Sequence, residues 1–268
     1  MASIAFNEMA RRYDKTRTLD PRSFSAALDY LVGQFPPTQY PQLFEPGIGT
    51  GRIAIPLAER GYRVTGVDIA EDMLAVLAER VHRHEAQVPI SWFLADATRV
   101  PFPDAVFDMA VVVNLFHLVR NWRSAVDELL RVLHRNAPII LIRTRGSLCI
   151  PGLFRRYKEI CARFGVPISH PGSSSIEEVV GYCTALGYRA ERIRDRWKWV
   201  TYVRLDEALR ELRLRTFWFS TIPPDDIHAN AVGALEFELL KEFGCLTAEV
   251  EVRSEISFVI LRKEAGAA

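Results

Sequence analysis

Three glycines and one carboxylate are the residues of this chain whose types and spacing point most clearly to chemistry. The segment 44–51 reads FEPGIGTG, and Gly47, Gly49 and Gly51 alternate in it between an apolar run and a helix-like run. Glycines in such a turn let the chain bend tightly and let a ligand approach bare backbone. Asp68 follows about 20 residues later, the separation at which a nucleotide-binding sheet presents a carboxylate to ribose hydroxyls.

The residues around the glycines indicate which kind of nucleotide cofactor the turn could bind. Their spacing is G-x-G-x-G rather than the G-x-G-x-x-G of dinucleotide sites, and no Gly-Lys-Ser/Thr follows as in a P-loop. Glu45, directly before the turn, would repel a pyrophosphate but would suit a ligand that carries an ammonium or sulfonium group. These features favour S-adenosylmethionine as the cofactor and disfavour a nicotinamide oxidoreductase.

Alternating strand-like and helix-like segments would position these residues. Apolar strand-like runs cover 42–44, 63–69, 90–95, 106–114 and 139–143, and helical periodicity covers 53–60, 70–84 and 122–134. This alternation predicts an α/β fold with a parallel sheet and right-handed crossovers. Ligands of such sheets bind at the carboxyl ends of the strands, where the loop 45–51, Asp68, Asp96 and Asn114 all fall. We therefore expect one compact site to collect these residues.

The second half of the sequence is less regular. We expect helices over 152–164, 176–186, 205–219 and 225–243, a strand that begins at Tyr188, and a closing strand over 249–261. The segment from about Val200 to Gly244 then forms an insertion before the closing strand, and we expect it to be a lid over the site.

Composition limits the function classes. The 268 residues carry a formal net charge of +1 and a pI of about 7.7, which gives no global electrostatic case for nucleic acid or anionic membrane. No apolar run reaches the ~20 residues of a membrane-spanning helix or resembles a signal peptide, so cytoplasmic localisation is expected. Cys149, Cys161, Cys183 and Cys245 lack metal-ligand spacing and are expected to be reduced thiols, and no metal is expected.

Taken in order, three segments resemble the class I S-adenosylmethionine-dependent methyltransferases, of the small-molecule kind related to ubiquinone and menaquinone methyltransferases. They are FEPGIGTGRIAIPLAERGYRVTGVDIAEDML, FLADATRVPFPDAVFDMAVVVNLFHLV and a helix that ends in Arg131-Val132-Leu133, and the resemblance covers about 5–142. It implies a Rossmann-like three-layer sandwich whose seven-stranded, mostly parallel sheet has an antiparallel last strand and a helical lid. The expected organisation is an N-terminal helical cap (1–34), a cofactor-binding core (35–199), a helical lid insertion (200–247) and the closing strand of the core (248–264).

The resemblance also implies roles at the cofactor. Glu45 would face the methionine ammonium, Asp68 would accept from the ribose hydroxyls, and Asp96 would take the adenine amino group. The whole predicted cofactor set is Glu45, Gly47, Gly49, Gly51, Asp68, Ile69, Met73, Asp96, Ala97, Asn114 and Leu115, with Arg17 and Arg52 as candidates for the methionine carboxylate. Surface or core roles remain the alternatives for Arg17, Arg52 and Met73.

His117 and Tyr13 are the candidate catalytic residues. A neutral imidazole at position 117 could accept a proton from a hydroxyl acceptor, and the alternative is a structural histidine that lines the pocket. Tyr13, in a segment similar to the family's N-terminal helix, could touch the methionine carboxylate. The acceptor pocket is predicted to be aromatic and to draw on Phe6, Phe116, Trp197, Trp199, Phe217, Trp218 and Phe219, for which lid core is the alternative.

These observations predict methyl transfer to a small apolar or aromatic acceptor by in-line displacement, with the protein acting through orientation and exclusion of water. A nucleic-acid methyltransferase is one alternative. It is disfavoured because Asn114-Leu115-Phe116-His117 stands where an Asn/Asp-Pro-Pro-Tyr motif would be expected. A non-catalytic cofactor-binding partner subunit is the other alternative. The expected oligomeric state is a monomer or a homodimer.

Overall fold

A mixed sheet forms the centre of the molecule. The computed structural model describes residues 6–84, 87–144, 150 and 152–263. Its strands are β1 (Gln42–Pro46), β2 (Arg63–Asp68), β3 (Ile90–Leu94), β4 (Met109–Val113), β5 (Ile139–Thr144), β6 (Tyr188–Arg204) and β7 (Glu249–Lys263). Within the described residues they form a seven-stranded sheet in the order β3-β2-β1-β4-β5-β7-β6. The pairs among β1 to β5 are parallel, and β7 is antiparallel to β5 and β6, which confirms the predicted sheet and its antiparallel last strand.

Helices flank the sheet and connect its strands. They are α1 (Ala10–Tyr13), α2 (Pro21–Gln34), α3 (Ala54–Glu59), α4 (Glu71–Arg83), α5 (Trp122–Val132), α6 (Leu153–Arg163), α7 (Ile176–Ala185), α8 (Leu205–Arg213) and α9 (Asp225–Phe243). Short 3-10 helices cover Asn7–Met9, Asp14–Thr16 and Trp218–Thr221. The helices over 53–60, 70–84 and 122–134 that periodicity predicts are therefore present as α3, α4 and α5.

Two hydrophobic clusters cover the two faces of the sheet and make the predicted three layers. Side chains alternate along a strand, so β5 sends Ile140 and Ile142 into one cluster and Ile139 and Leu141 into the other. The first cluster is completed by α2, α3 and α4, and the second by α5 and α7. The central strands are buried on both faces, which explains their valine-rich sequences.

A third cluster joins the N-terminal segment to α6, α8 and α9. Tyr157 of α6, Leu209 of α8 and Leu235 of α9 are fully buried in it. Phe6 and Met73 belong to the same cluster, so these helices pack beside the start of α4, next to the carboxyl edge of the sheet. This arrangement suits the predicted lid, whose role remains a proposal.

Two boundaries differ from the sequence expectations. The lid insertion was expected to begin at residue 200, but β6 continues to Arg204 because it stays paired with β7 as far as Glu249. The helix expected over 205–219 ends at Arg213. Arg215 has a left-handed φ of 54°, and the Thr216 hydroxyl donates to the Glu211 carbonyl at 2.8 Å, which ends the helix.

The thiols that the structure describes are free. Cys161 and Cys183 are buried, and burial raises the pKa of Cys183 to about 12, so this thiol is inert as a nucleophile. Cys245 is exposed, and Cys149 lies outside the described residues. Across the described part of the chain, no helix combines the length and apolarity needed to cross a membrane.

Candidate active site

The glycine turn is tied to the end of the neighbouring strand. The backbone N–H groups of Gly47 and Ile48 both donate to the Val67 carbonyl, at 2.8 and 3.0 Å. Gly49 has a φ of +55° and donates its N–H to Asp68 Oδ2 at 2.9 Å. The turn that follows β1 therefore faces the carboxylate that ends β2.

Asp68 is held by backbone donors on both oxygens. Oδ1 accepts from the Ala70 N–H at 2.9 Å, while Oδ2 accepts from Gly49. Burial raises the pKa of Asp68, although these backbone donors act in the opposite direction. Each carboxylate oxygen can accept a second hydrogen bond, so the two oxygens can also take the two hydroxyls of a ribose.

Glu45 supplies the unsatisfied polar atom of the site. Its side chain is only 2% exposed, and Oε2 has no hydrogen-bond partner among the described residues. Burial raises the pKa of Glu45 well above its ordinary value, and the nearby Arg52 opposes this rise. Glu45 lies behind the glycine turn rather than on the cavity wall. A buried acceptor without a donor fits a ligand that brings an ammonium group, directly or through water.

A cavity lies at the carboxyl ends of β1 to β4, and its empty volume, including the space open to solvent, is about 640 Å³. Its described lining residues are Phe6, Tyr13, Gly47, Gly49, Val67, Asp68, Ile69, Met73, Ala95, Asp96, Ala97, Val113, Asn114, Leu115, Leu118 and Val119. The structure thus brings together the strand-end residues that the sequence singles out. Val67, Ala95, Val113, Leu118 and Val119 were not predicted, because apolar residues next to strand ends carry no signal of their own.

Asp96 and Asn114 are two polar residues that line this cavity. Asp96 Oδ1 accepts from the N–H and the hydroxyl of Thr98, each at 2.8 Å, which leaves Oδ2 to accept from a ligand amine. Asn114 has a left-handed φ of 45°, a conformation that asparagine tolerates better than most residues. Its amide donates to the Thr144 hydroxyl at 2.9 Å, which orients the turn after β4.

The N-terminal segment is fastened to the glycine turn. Asp14 accepts from the Thr50 hydroxyl at 2.9 Å and from Arg80 Nη1 at 2.7 Å. These bonds hold Tyr13 against the cavity, and the guanidinium of Arg17 lies 4.0 Å from the centre of the Tyr13 ring. This explains how a segment distant in sequence reaches the site.

The structure does not place Arg17 or Arg52 on the described cavity wall. Arg52 donates to the Arg17 carbonyl and, at 3.3 Å, to the Thr144 hydroxyl. Gly51 is also behind the wall, where an added Cβ would lie 2.3 Å from Leu77 Cδ1. The proposed role of the two arginines at a methionine carboxylate therefore requires that they move or act through their charge.

A second cavity of about 720 Å³ adjoins the first. Its described lining residues are Val112, Asn114, Leu115, Phe116, His117, Leu141, Ile142, Arg143, His170, Ser173, Ser174, Ser175, Ile176 and Val179. Asn114 and Leu115 line both cavities, so the turn after β4 separates the two spaces. A cofactor in the first cavity and an acceptor in the second would meet at this turn.

The loop 170–175 closes one side of the second cavity by packing directly on the turn after β4. The N–H groups of Gly172 and Ser173 donate to the carbonyls of His117 and Phe116, at 3.1 and 3.0 Å. An added Cβ at Gly172 would lie 2.1 Å from the Phe116 carbonyl oxygen, so only glycine permits this approach. His170 is thereby brought to His117, with their ring centres 5.0 Å apart. No sequence pattern marks His170 for this contact, because it lies in a polar loop of small residues.

His117 is a poor candidate for a general base in this environment. Burial lowers its pKa to about 3, and the charges of His170, Arg143, Lys158 and Arg17 act in the same direction. The imidazole is therefore neutral at physiological pH, and so weak a base contributes little to proton removal. Its position on the wall of the second cavity favours the structural alternative.

The predicted aromatic pocket is only partly assembled. Phe6 lines the first cavity and Phe116 the second. Phe217, Trp218 and Phe219 are buried in the third cluster and line neither cavity, although the Trp218 ring lies 4.7 Å from that of His170.

Trp197 and Trp199 are corrected as pocket residues. Both belong to the cluster formed by α2, α3 and α4, and Trp197 packs on Tyr30 and Phe258 with ring centres 5.3 and 5.0 Å away. The register of β6 shifts between Ile193 and Trp197, and this irregularity precedes both tryptophans.

Comparisons with known proteins agree with this geometry. Residues 44–141 match the sequence family described as a methyltransferase domain. The chain is 31% identical over 144 residues to the demethylmenaquinone methyltransferase of Thermus thermophilus, covering 51% of this chain and 63% of that protein. It is 33% identical over 146 residues to the malonyl-acyl-carrier-protein O-methyltransferase of Serratia marcescens, covering 54% of this chain and 53% of that one.

Among solved structures, the YcgJ protein from Bacillus subtilis superposes with a TM-score of 0.61 at 18% identity, over 90% of this chain and 99% of that one. This similarity shows a shared fold. The chain spans less than two thirds of the length of each of these two curated relatives. Together these findings confirm the predicted resemblance to class I S-adenosylmethionine-dependent methyltransferases.

Proposed function

We propose that this chain, which carries a class I S-adenosylmethionine-dependent methyltransferase domain, transfers a methyl group to a small, apolar or aromatic acceptor. The observation that carries the proposal is the convergence of Gly49, Asp68, Asp96 and Asn114 on one cavity at the carboxyl ends of the parallel strands. The orphaned oxygen of Glu45 behind that cavity supports a cofactor with an ammonium group. Both curated relatives described above are named methyltransferases, which supports the reaction class.

The described residues offer partners for the ribose, the adenine and the methionine ammonium of the proposed cofactor. Asp68 would accept from the ribose hydroxyls, Asp96 Oδ2 from the adenine amine, and Glu45 from the methionine ammonium. Ile69 and Met73 offer apolar surface to the adenine ring, and Phe6 and Tyr13 cover the cavity from the N-terminal segment. Their cover excludes water, which favours displacement at the methyl group over hydrolysis.

S-adenosylmethionine would supply an activated methyl group with a neutral thioether as the leaving group, so that a nucleophilic atom of the acceptor could displace it directly. The chain contributes by orientation. Asn114 and Leu115 stand where the two cavities meet, and the Asn114 amide is fixed by Thr144. His117 stays neutral and shapes the acceptor side of this junction. Catalysis in this proposal therefore rests on positioning rather than on a side-chain base.

Isothermal titration calorimetry with S-adenosylhomocysteine tests the cofactor site. In Asp68→Asn we expect affinity at least tenfold weaker, since losing a hydrogen bond to a charged group costs about 1.5–3 kcal/mol. The matched control is Asp108→Asn. Asp108 Oδ2 also accepts from a backbone N–H, that of Gln42, at 2.8 Å. Gln42 is the first residue of β1, so this carboxylate lies at the opposite end of the strand from the glycine turn.

Methyl transfer is then followed with isotopically labelled S-adenosylmethionine and a panel of phenols, quinols and carboxylic acids. Tight binding without turnover on any acceptor, together with tight binding to a protein, would favour the non-catalytic partner subunit. No binding of S-adenosylhomocysteine to the unaltered chain would end the proposal, as would equal losses in Asp68→Asn and Asp108→Asn.

A further inference from the structure

The second cavity carries one permanent positive charge on its described wall, that of Arg143. His117 and His170 line the same cavity, and burial lowers the pKa of both imidazoles, so they meet a ligand as neutral rings. The charges that act on His117 come from His170, Arg143, Lys158 and Arg17, and no carboxylate of the described residues is among them. An anionic ligand would therefore meet attraction and no like charge from the groups that act on His117.

The register of β5 places Arg143 at this cavity. Ile139 and Leu141 point into the cluster shared with α5 and α7, so Arg143 continues on the same face, beyond the end of the core. It is an exposed residue, and it forms no ion pair with any residue in the described ranges. Its guanidinium is therefore available to a ligand, and its planar fork matches a carboxylate or a phosphate.

Lys158 approaches the same region from α6. Its ammonium lies 5.0 Å from the centre of the Trp218 ring, and that ring also contacts His170. Burial lowers the pKa of Lys158, and none of the described carboxylates pairs with it. Among the described residues, the aromatic faces of Trp218 and Phe219 are the groups that compensate its charge.

Two carboxylates on the helices that flank this region have other partners. Glu178, at the start of α7, accepts from the Ser174 N–H at 2.9 Å and from Arg123 at 3.3 Å. Glu159 lies 3.9 Å from Arg155. Neither is therefore a neutralising partner for Arg143 or Lys158.

The remaining wall of the second cavity is mainly apolar. Val112 and Leu141 come from the sheet, Phe116 from the turn after β4, and Ile176 and Val179 from α7. A ligand that fills this cavity thus needs an apolar body as well as a group that meets the positive charge.

We infer that the acceptor is an anionic molecule whose carboxylate or phosphate binds Arg143 beside His117 and His170, while its apolar body lies between β4 and α7. The inference rests on the proposed function and deepens it, because it names the class of acceptor. The anion completes a charge balance that the described protein groups leave open, and it anchors the acceptor next to the Asn114 turn.

Benzoate and benzamide are matched probes that differ in charge and share an apolar ring. Their binding to the S-adenosylhomocysteine complex is measured by ligand-observed NMR titration, with phenyl phosphate as a third probe. We expect benzoate to bind at least tenfold more tightly than benzamide. The tighter of benzoate and phenyl phosphate then identifies the anionic group. Equal affinities of all three probes would overturn the inference.

Variants locate the anion. Arg143→Gln should weaken the binding of benzoate at least tenfold and leave the binding of benzamide unchanged. Arg143→Lys, which keeps the charge, should retain more of the affinity for benzoate. Arg189→Gln removes an exposed arginine of β6 that lies outside the cavity, and it should have no effect. An unchanged affinity in Arg143→Gln, or an equal loss in Arg189→Gln, would refute a site at Arg143.

The two proposals can fail separately. If S-adenosylhomocysteine does not bind the unaltered protein, the proposed function falls and the acceptor inference falls with it. If S-adenosylhomocysteine binds but none of the anions does so in preference to benzamide, the methyltransferase proposal stands and only the anionic acceptor is refuted.

Discussion

Gly49→Ala tests the contact between the backbone of the glycine turn and the proposed cofactor. An alanine Cβ at this position would meet no protein atom closer than the Gly47 carbonyl oxygen at 4.0 Å, outside its immediate chain neighbours. The added methyl therefore fits the protein itself. It projects from a residue that lines the first cavity, into space that we assign to S-adenosylmethionine. We expect a folded variant that binds the cofactor weakly.

Two separate effects determine how much Gly49→Ala lowers stability and cofactor affinity. The φ of +55° at Gly49 costs a residue with a Cβ about 1–2 kcal/mol, and this cost falls on the free and bound protein alike. It lowers the melting temperature by roughly 2–4 °C for each kcal/mol. Crowding of a methyl against a well-packed ligand costs a further ~1–3 kcal/mol in the complex alone. Affinity for S-adenosylhomocysteine should therefore fall by about 5- to 150-fold.

Gly165→Ala is the matched control for this experiment. Gly165 has a φ of +83°, and an added Cβ there would meet nothing within 4 Å. It follows α6 and lies outside both cavities, so alanine imposes similar backbone strain without approaching the site. Calorimetric titration should give an unaltered dissociation constant for Gly165→Ala, while thermal melting should show comparable destabilisation of the two variants.

The reasoning is refuted if Gly49→Ala binds S-adenosylhomocysteine as tightly as the unaltered chain. In that case the cofactor does not approach the backbone at this turn. A similar loss of affinity in Gly165→Ala would assign the effect to general strain and would also remove the support for a contact at Gly49.

Three further predictions concern other parts of the molecule. Asp14→Asn removes the charge that holds the N-terminal segment to the glycine turn. Because this ion pair is about one-third exposed, we expect calorimetry to show a cofactor affinity that is only two- to fivefold weaker, a loss of about 0.5–1 kcal/mol. The remote control Asp104→Asn should leave the affinity unchanged. The low pKa of His117 means that the unfolded chain gains a proton below about pH 6.5 while the folded protein does not. Urea unfolding should therefore show a free energy of unfolding that falls by ~2 kcal/mol between pH 7 and 5, and His117→Gln should reduce this slope. Equal slopes would contradict the buried neutral imidazole. Trp197→Phe should lower the free energy of unfolding by about 1–2 kcal/mol and leave S-adenosylhomocysteine affinity unchanged, whereas a loss of affinity would return Trp197 to the site.

The cofactor side of the site could be predicted because its signals are local. Gly49, Asp68, Asp96 and Asn114 each follow a strand that the sequence pattern identifies, and parallel topology alone brings the ends of those strands together. No knowledge of side-chain packing is needed for that step. The same argument explains why the antiparallel closing strand was predictable only through the family resemblance, since a strand's direction leaves no mark on its periodicity.

The acceptor side depends on tertiary contacts that sequence patterns do not reveal. Arg143 looks like the end of a buried strand, and His170 looks like a surface residue of a polar loop. They meet His117 only because Gly172 allows that loop to pack on the turn after β4. Trp197 was instead predicted to line the pocket and does not, because an aromatic residue in a long strand can face either side of the sheet. The irregularity that precedes it, where Asp195 has a φ of 66°, has no clear sequence signal.

The junction at Asn114 and Leu115 makes the molecule modular. Apart from these two residues, the described walls of the donor space and the acceptor space have no residue in common. Under the proposed function, substitutions on β5, α7 or the loop 170–175 should therefore change which acceptor binds and leave the affinity for the methyl donor unchanged. To change the acceptor, one should therefore vary the wall of the second cavity and keep Asn114 and Leu115, because a substitution at either shared position would alter the binding of both ligands.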